Sequence, residues 1–293
     1  MTAGVVVGFD GSPPSVQAVE WAALEAWQRG TTLHVVVAAD YPGMPATPTR
    51  DWTPHLLLSS AQSHLEEGLR LARKRLPEGR LSGDVVTGRA AGMLIDAART
   101  ADLLVTGCRS LDPARSAVMG STSTLAASMA PCPVAVARGA TDPACSFTSP
   151  VTVGATTSPH SAGALTYAAA AATRRGVPLN IVAAWAVPPT ETWEYASTHG
   201  DAMAAFARRL REEADQAREQ ARTQVRREHP DLRVHCDVVE MQPWAALEDG
   251  SRRAGLLVVG SRGTGGFEGL RLGSVARAAL EHSRCPVVVV PSL

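Results

Sequence analysis

The chain spells out one pattern of strands and helices twice, and no other feature limits its possible folds as much. Val5-Val-Val-Gly8-Phe-Asp10-Gly-Ser-Pro13 aligns with Val151-Thr-Val-Gly154-Ala-Thr156-Thr-Ser-Pro159, and the same offset carries Gly30 onto Gly176 and Leu33 onto Leu179. Further on, Asp102-Leu-Leu-Val-Thr-Gly107 aligns with Gly255-Leu-Leu-Val-Val-Gly260 at a larger offset. That second offset lays Gly120-Ser121 on Gly273-Ser274 and Cys132-Pro133 on Cys285-Pro286. The change of offset puts a longer middle segment in the second half, between residues 187 and 232.

In the first half the pattern predicts strands near 4–10, 32–39, 83–87, 102–107 and 133–138, and helices near 13–29, 57–76, 91–100 and 120–130. The strands are continuous Val, Leu and Ala runs rather than alternating ones, as expected when helices cover both faces of a sheet. Strand–helix alternation then implies α/β domains, each a doubly wound parallel sheet with right-handed crossovers. The second half repeats this from 151 to 291. We expect a first domain over 1–139, a polar Pro/Gly-containing linker over 140–149 and a second domain over 150–293. Long segments follow the second strand of each half, Asp40 to Pro54 and Ala186 to Gly200, on the sheet edge where such folds bind ligands.

The glycine pattern carries the chemistry. Gly260-Ser261-Arg262-Gly263-Thr264-Gly265-Gly266 follows a predicted buried strand, and Gly273-Ser274-Val275-Ala276 opens the next helix. Such a loop can surround an anion with backbone N–H groups, and the helix start adds partial positive charge. Glycine lets an anion approach the backbone with no Cβ in the way. A phosphate-bearing ligand is the chemistry these residues suit.

Composition removes competing readings. With 293 residues, 45% apolar and 19% charged, the chain has material for two globular cores. Its formal net charge of zero gives no broad pull toward nucleic acid or membrane. The five cysteines, Cys108, Cys132, Cys145, Cys236 and Cys285, show no C-x-x-C pair or even framework, which suits a reducing, cytoplasmic setting. Cys132 and Cys285 read as small packing residues. The start lacks a secretory signal, and no apolar run approaches the roughly 20 residues that span a bilayer. The one lysine, Lys74, falls in a predicted polar helix, so the lysine of a P-loop is missing. The first strand–helix turn lacks the dinucleotide fingerprint. Histidine spacing suits no zinc site, and no G-x-S-x-G elbow occurs. The Arg/Glu-rich stretch Phe206 to Glu228 mixes signs and reads as a solvated helix face.

Gly260-x-x-Gly263, nine residues, then Gly273-Ser274 resembles the ATP-binding loop of the universal stress protein family. The first-strand ending Gly8-Phe-Asp10-Gly-Ser-Pro and the Cys-Pro-Val leading the last strand of each half also look like that family. The resemblance spans nearly the whole chain as two fused domains. It implies a five-stranded, Rossmann-like or flavodoxin-like sheet in each half, with ATP at the carboxyl edge. The aspartate after the first strand and the backbone at the second strand's end would hold adenosine. The spaced glycines and following hydroxyl would hold the phosphates, with Ser121 or Ser274 available to Mg²⁺. Family members pair through their last strands, so the two halves are expected to pair so within this chain, and a homodimer is compatible.

Carried over by position, the first half keeps Gly8, Asp10, Gly107, Arg109, Gly120, Ser121 and Thr122, with Ser110 in place of the middle glycine. Where that position needs positive φ, serine costs about 1 kcal/mol or more. Asp112 and Pro113 add negative charge and remove a donor. The second half keeps Gly154 and the full loop, with Thr156 in the aspartate's place. These residues point to an ATP-binding sensor or regulator of the stress response with an unnamed protein partner, and to hydrolysis that is slow at most. The second domain is expected to bind more tightly, because several amide–phosphate contacts outweigh one ribose or base contact. A scaffold or dimerisation module with degenerate sites is the alternative. An adenylyl transferase would need a catalytic His-x-x-His or lysine motif that the chain lacks.

Overall fold

The computed structural model describes residues 3–39, 54–108, 120–138, 145–187, 200–263 and 272–292. Two compact units form, one from Met1–Cys145 with Pro286–Pro291, the other from Ser146–Cys285 with Ser292–Leu293.

The first unit runs β1 (Ala3–Gly8), α1 (Pro13–Arg29), β2 (Leu33–Ala39), α2 (Pro54–Ala72), β3 (Leu81–Thr87), α3 (Ala90–Ala97), β4 (Ala101–Gly107), α4 (Ser121–Met129) and β5 (Val134–Ala137). Strand order is β3-β2-β1-β4-β5, all parallel, with Val5 beside Leu33 on one flank and Leu103 on the other. The aliphatic runs are buried on both faces, with Leu33, Leu103, Leu104 and Val105 at 0% exposure. Helix α1 starts with Pro13 and Pro14, whose fixed φ suits a first turn. It ends at Gly30, where φ is 67°, and the repeat's counterpart Gly176 has φ 65°.

The second unit contains α5 (Cys145–Thr148, entering from the first), β6 (Val151–Gly154), α6 (His160–Arg175), β7 (Leu179–Trp185), α7 (Gly200–Glu228), β8 (Val234–Glu240), α8 (Pro243–Ser251), β9 (Leu256–Gly260) and α9 (Ser274–His282). Its sheet is parallel in the order β8-β7-β6-β9. The last strand of the chain, β10 (Val287–Val290), clusters with the first unit and runs antiparallel to β5, Val288 opposite Ala135. Both strands are four-residue apolar runs buried throughout. A bare edge of that kind would offer unpaired N–H and C=O groups to other chains, and the pairing removes it from β5.

Three local expectations are refined. The segment expected as a polar linker includes the short α5, with Phe147 buried and the Arg175 guanidinium 4.1 Å from its ring centre. Lys74 sits in the turn after α2, because the chain there tightens into i→i−3 bonds (Lys74 to Leu71, Arg75 to Ala72) before Pro77. Its Nζ lies 3.6 Å from Glu20. The long middle segment of the second half is largely α7, which buries Ala214, Ala217, Ala221 and Val225 and carries surface pairs such as Arg209–Glu213. Of the two expected ligand-side segments, 40–53 and 188–199 lie outside the described residues. Among the described residues no helix is long and apolar enough to cross a membrane, and no cluster of His, Cys, Asp or Glu is arranged to hold a metal.

Candidate functional site

In each unit the chain winds outward from its first strand, then crosses back to that strand's other side. The crossover parts the connections between β1 and β4, and again between β6 and β9, so a crevice opens at their carboxyl ends. Both crevices are cavities, of about 260 Å³ in the second unit and about 120 Å³ in the first.

The second cavity is floored by Gly154 and Gly260 and closed by Gly273, Ser274, Val275 and Ala276 at the start of α9. Arg262 and Gly263 line the loop side, while Val182 and Ala184 of β7 and Pro243 and Leu247 of α8 form an apolar wall. Helix α9 is capped by Gly273, with φ −71° and ψ 162°, which offers no side-chain acceptor. The first-turn amides of α9 therefore have no acceptor from their cap, as an anion site requires. The Gly273 amide donates to the Ser261 carbonyl at 2.8 Å, drawing the loop ends together. Ser261 does not line the cavity. It is buried, and its Oγ accepts from the Ser292 amide at 3.0 Å.

The first cavity uses equivalent positions: Gly8, Asp10, Val36, Ala38, Leu94, Gly107, Gly120 and Thr122. Ser121 is the first residue of α4 but does not line the cavity. Asp10 Oδ1 accepts hydrogen bonds from the Ser12 amide, at 3.0 Å, and from its hydroxyl. Burial works to raise the Asp10 pKa, but the hydrogen bonds from Ser12, with a further one involving Ser15, outweigh it and hold the carboxyl below its ordinary value. Thr156 repeats the turn-forming part of this role in the second half: its Oγ1 accepts from the Ser158 amide at 3.3 Å.

Backbone approach explains the strand-end glycines. A Cβ at Gly107 would lie 2.5 Å from the Pro14 carbonyl oxygen, and one at Gly260 would lie 3.1 Å from that of His160. Gly263 differs. No left-handed φ occurs there, and among the described residues an added Cβ would meet nothing within 4 Å. Serine in a conformation like that of Gly263 would therefore meet no left-handed strain. Ser110 itself lies outside the described residues, as do Arg109, Asp112, Pro113, Thr264, Gly265 and Gly266.

With the geometry established, comparison with known proteins places the chain. The sequence model of the universal stress protein family matches residues 1–138 and again residues 148–291. The chain belongs to the universal stress protein family. A universal stress protein of Mycobacterium tuberculosis is 33% identical over 310 residues, covering 98% of this chain and 94% of that one. One from Mycolicibacterium smegmatis is 33% identical over 297 residues, covering 98% and 96%. The crystal structure of a universal stress protein from Archaeoglobus fulgidus has the same fold, with TM-score 0.72 at 18% identity and full coverage of both chains. Tandem universal stress protein domains thus account for the doubled pattern in the sequence.

The sequence reading named the glycines and helix starts but missed the wall residues Val182, Ala184, Pro243 and Leu247, with their counterparts Val36, Ala38, Ala90 and Leu94. One signal was present: Ala90/Leu94 and Pro243/Leu247 recur at i,i+4 spacing just inside a helix that follows the third strand.

Proposed function

We propose that this universal stress protein binds ATP in the cavity of its second unit and acts as a nucleotide-dependent regulator of the stress response. One observation carries the reading. Gly260, Gly263, Gly273 and the uncapped start of α9 meet at a single cavity whose one charged lining residue, among those described, is Arg262. Phosphates would be held by amides of 262–263 and 274–276 and by Arg262. The base would rest on the apolar wall of Val182, Pro243 and Leu247. Ser274 would offer a hydroxyl to a Mg²⁺ travelling with the phosphates. When bound, the nucleotide would supply phosphate-dependent contacts at the start of α9, and a partner protein in the cytoplasm would read the surface they favour.

The test is the ligand released when purified full-length protein is denatured, identified by mass spectrometry, together with calorimetric titration of ATP. The reading predicts an adenine nucleotide and saturable binding that Arg262→Ala weakens tenfold or more. Absence of binding, or binding unchanged by Arg262→Ala and Gly263→Ser alike, would refute it.

A further inference from the structure

The outer strand of the second unit carries backbone groups and charges that no described residue of that unit engages. Strand β8 pairs with β7 over all 7 of its residues, from Val234 beside Leu179 to Glu240 beside Trp185, without a bulge. The Arg233 carbonyl accepts from Leu179 and the Met241 amide donates to Trp185, so odd-numbered residues turn their backbone groups toward β7. Alternation then turns the N–H and C=O of Val234, Cys236, Val238 and Glu240 outward, and no described residue bonds to them. Natural edges are blunted by lysine, proline or bulges, and β8 has none of these. Its side chains sort by face. His235 and Asp237 are exposed on one, while Val234, Cys236 and Val238 are half-buried on the other, which α7 covers. Among the described residues, neither the His235 nor the Asp237 side chain has an ion pair or hydrogen bond. In the first unit the carboxylate at the matching register, Asp84, is already engaged: His34 of β2 lies 3.3 Å from it.

We propose that β8 is an interface between two copies of this chain, joined antiparallel about a two-fold axis at Cys236. An axis normal to the sheet keeps each face on its own side, so outward-turned residues meet outward-turned residues. Charge then selects the register. Centred on Asp237, the joint sets that carboxylate against itself. Centred on His235, it stacks two imidazoles and overlaps only Val234–Cys236 of each strand. Centred on Val238, it puts Asp237 opposite Val239 and Glu240 opposite Cys236. Centred on Cys236, each His235 supplies an N–H donor to Asp237 of the other copy, and each Val234 meets Val238. Neither His235 nor Asp237 lines the nucleotide cavity, so the interface stands apart from the nucleotide reading.

Sedimentation equilibrium of the full-length protein under reducing conditions is the test, and the wild type is expected to dimerise. His235→Asp sets two carboxylates together at each pair and is expected to weaken association at least tenfold; Asp237→His is expected to weaken it severalfold. The double variant, which exchanges the two residues, restores both pairs and is expected to associate within about threefold of wild type. Val238→Pro deletes an outward N–H but no bond to β7, so it is expected to stay folded and monomeric. Crosslinking gives a second readout. Opposed residues of a hydrogen-bonded antiparallel pair lie about 5.5 Å apart between Cα atoms, inside the range of about 4.4–6.8 Å that a disulfide spans. Oxidation with copper phenanthroline is therefore expected to yield a covalent dimer that Cys236→Ser abolishes. A monomer at every concentration, a dimer indifferent to these substitutions, an exchange variant no better than His235→Asp, or crosslinking unchanged by Cys236→Ser would overturn the proposal.

Discussion

The amide of Gly273 donates to the carbonyl of Ser261 across 2.8 Å, so the loop between them begins and ends at one point. Proline at 273 deletes that donor while tolerating the φ of −71° already present. Gly273→Pro is expected to lose about 1 kcal/mol, the net worth of one hydrogen bond. Gly273→Ala keeps the N–H, and its Cβ would meet nothing closer than 3.4 Å. It is expected to stay within about 0.5 kcal/mol of wild type. Urea unfolding of the two variants decides this, and equal losses would show that the bond contributes nothing.

Gly263 separates folding from binding. Since a Cβ there meets no described residue within 4 Å and has no left-handed φ to adopt, Gly263→Ser is expected to unfold within about 0.5 kcal/mol of wild type. The same Cβ would stand where an anion approaches the backbone, so ATP affinity is expected to fall tenfold or more. A large stability loss in thermal unfolding would contradict the first half of this prediction, and unchanged titration the second.

Gly107 and Gly260 occupy equivalent strand ends but tolerate substitution differently. A Cβ at Gly107 would come 2.5 Å from the Pro14 carbonyl oxygen, a rigid backbone atom, against 3.1 Å from that of His160 at Gly260. Gly107→Ala is therefore expected to cost on the order of 1–3 kcal/mol through forced backbone shifts. Gly260→Ala is expected to cost less, because displacements of a few tenths of an ångström relieve it. Denaturant midpoints of both single variants give the ranking.

Burial pushes the Cys132 thiol up to about 11. An unfolded thiol titrates near 8.5, so in the unfolded chain it loses its proton first. Its stabilising contribution is full below pH ~8.5 and is lost as pH rises toward the folded value. Native Cys132 is expected to resist iodoacetamide at pH 8, where little thiolate exists. Cys132→Ala is expected to lose less stability than wild type between pH 7 and pH 10. Peptide mapping and paired unfolding curves measure the two effects.

Much of the architecture was legible because its cause is local. Runs such as Leu103-Leu104-Val105 and Leu256-Leu257-Val258 are short, aliphatic and unalternating, which only a strand covered on both faces satisfies. Gly30 and Gly176 mark helix ends because their positive φ excludes most other residues. The described glycines of the loop were legible from their spacing between a strand and a helix rather than from positive φ, which Gly260, Gly263 and Gly273 do not adopt. The end of α2 was less so: Lys74 sits in turn structure where helical propensity alone extends the helix.

The sequence by itself determined two α/β repeats, their strand and helix succession, and a glycine-spaced loop opening a helix in the second. Tertiary structure alone decided that Leu247 and Val182 wall the same cavity as Gly154, and that no described residue crowds a side chain at Gly263. Periodicity records how a residue relates to neighbours a few places away. A cavity wall is assembled by crossovers that bring together strand ends and helix starts distant in the chain, and the space beside a backbone atom is set by whichever of them arrives there.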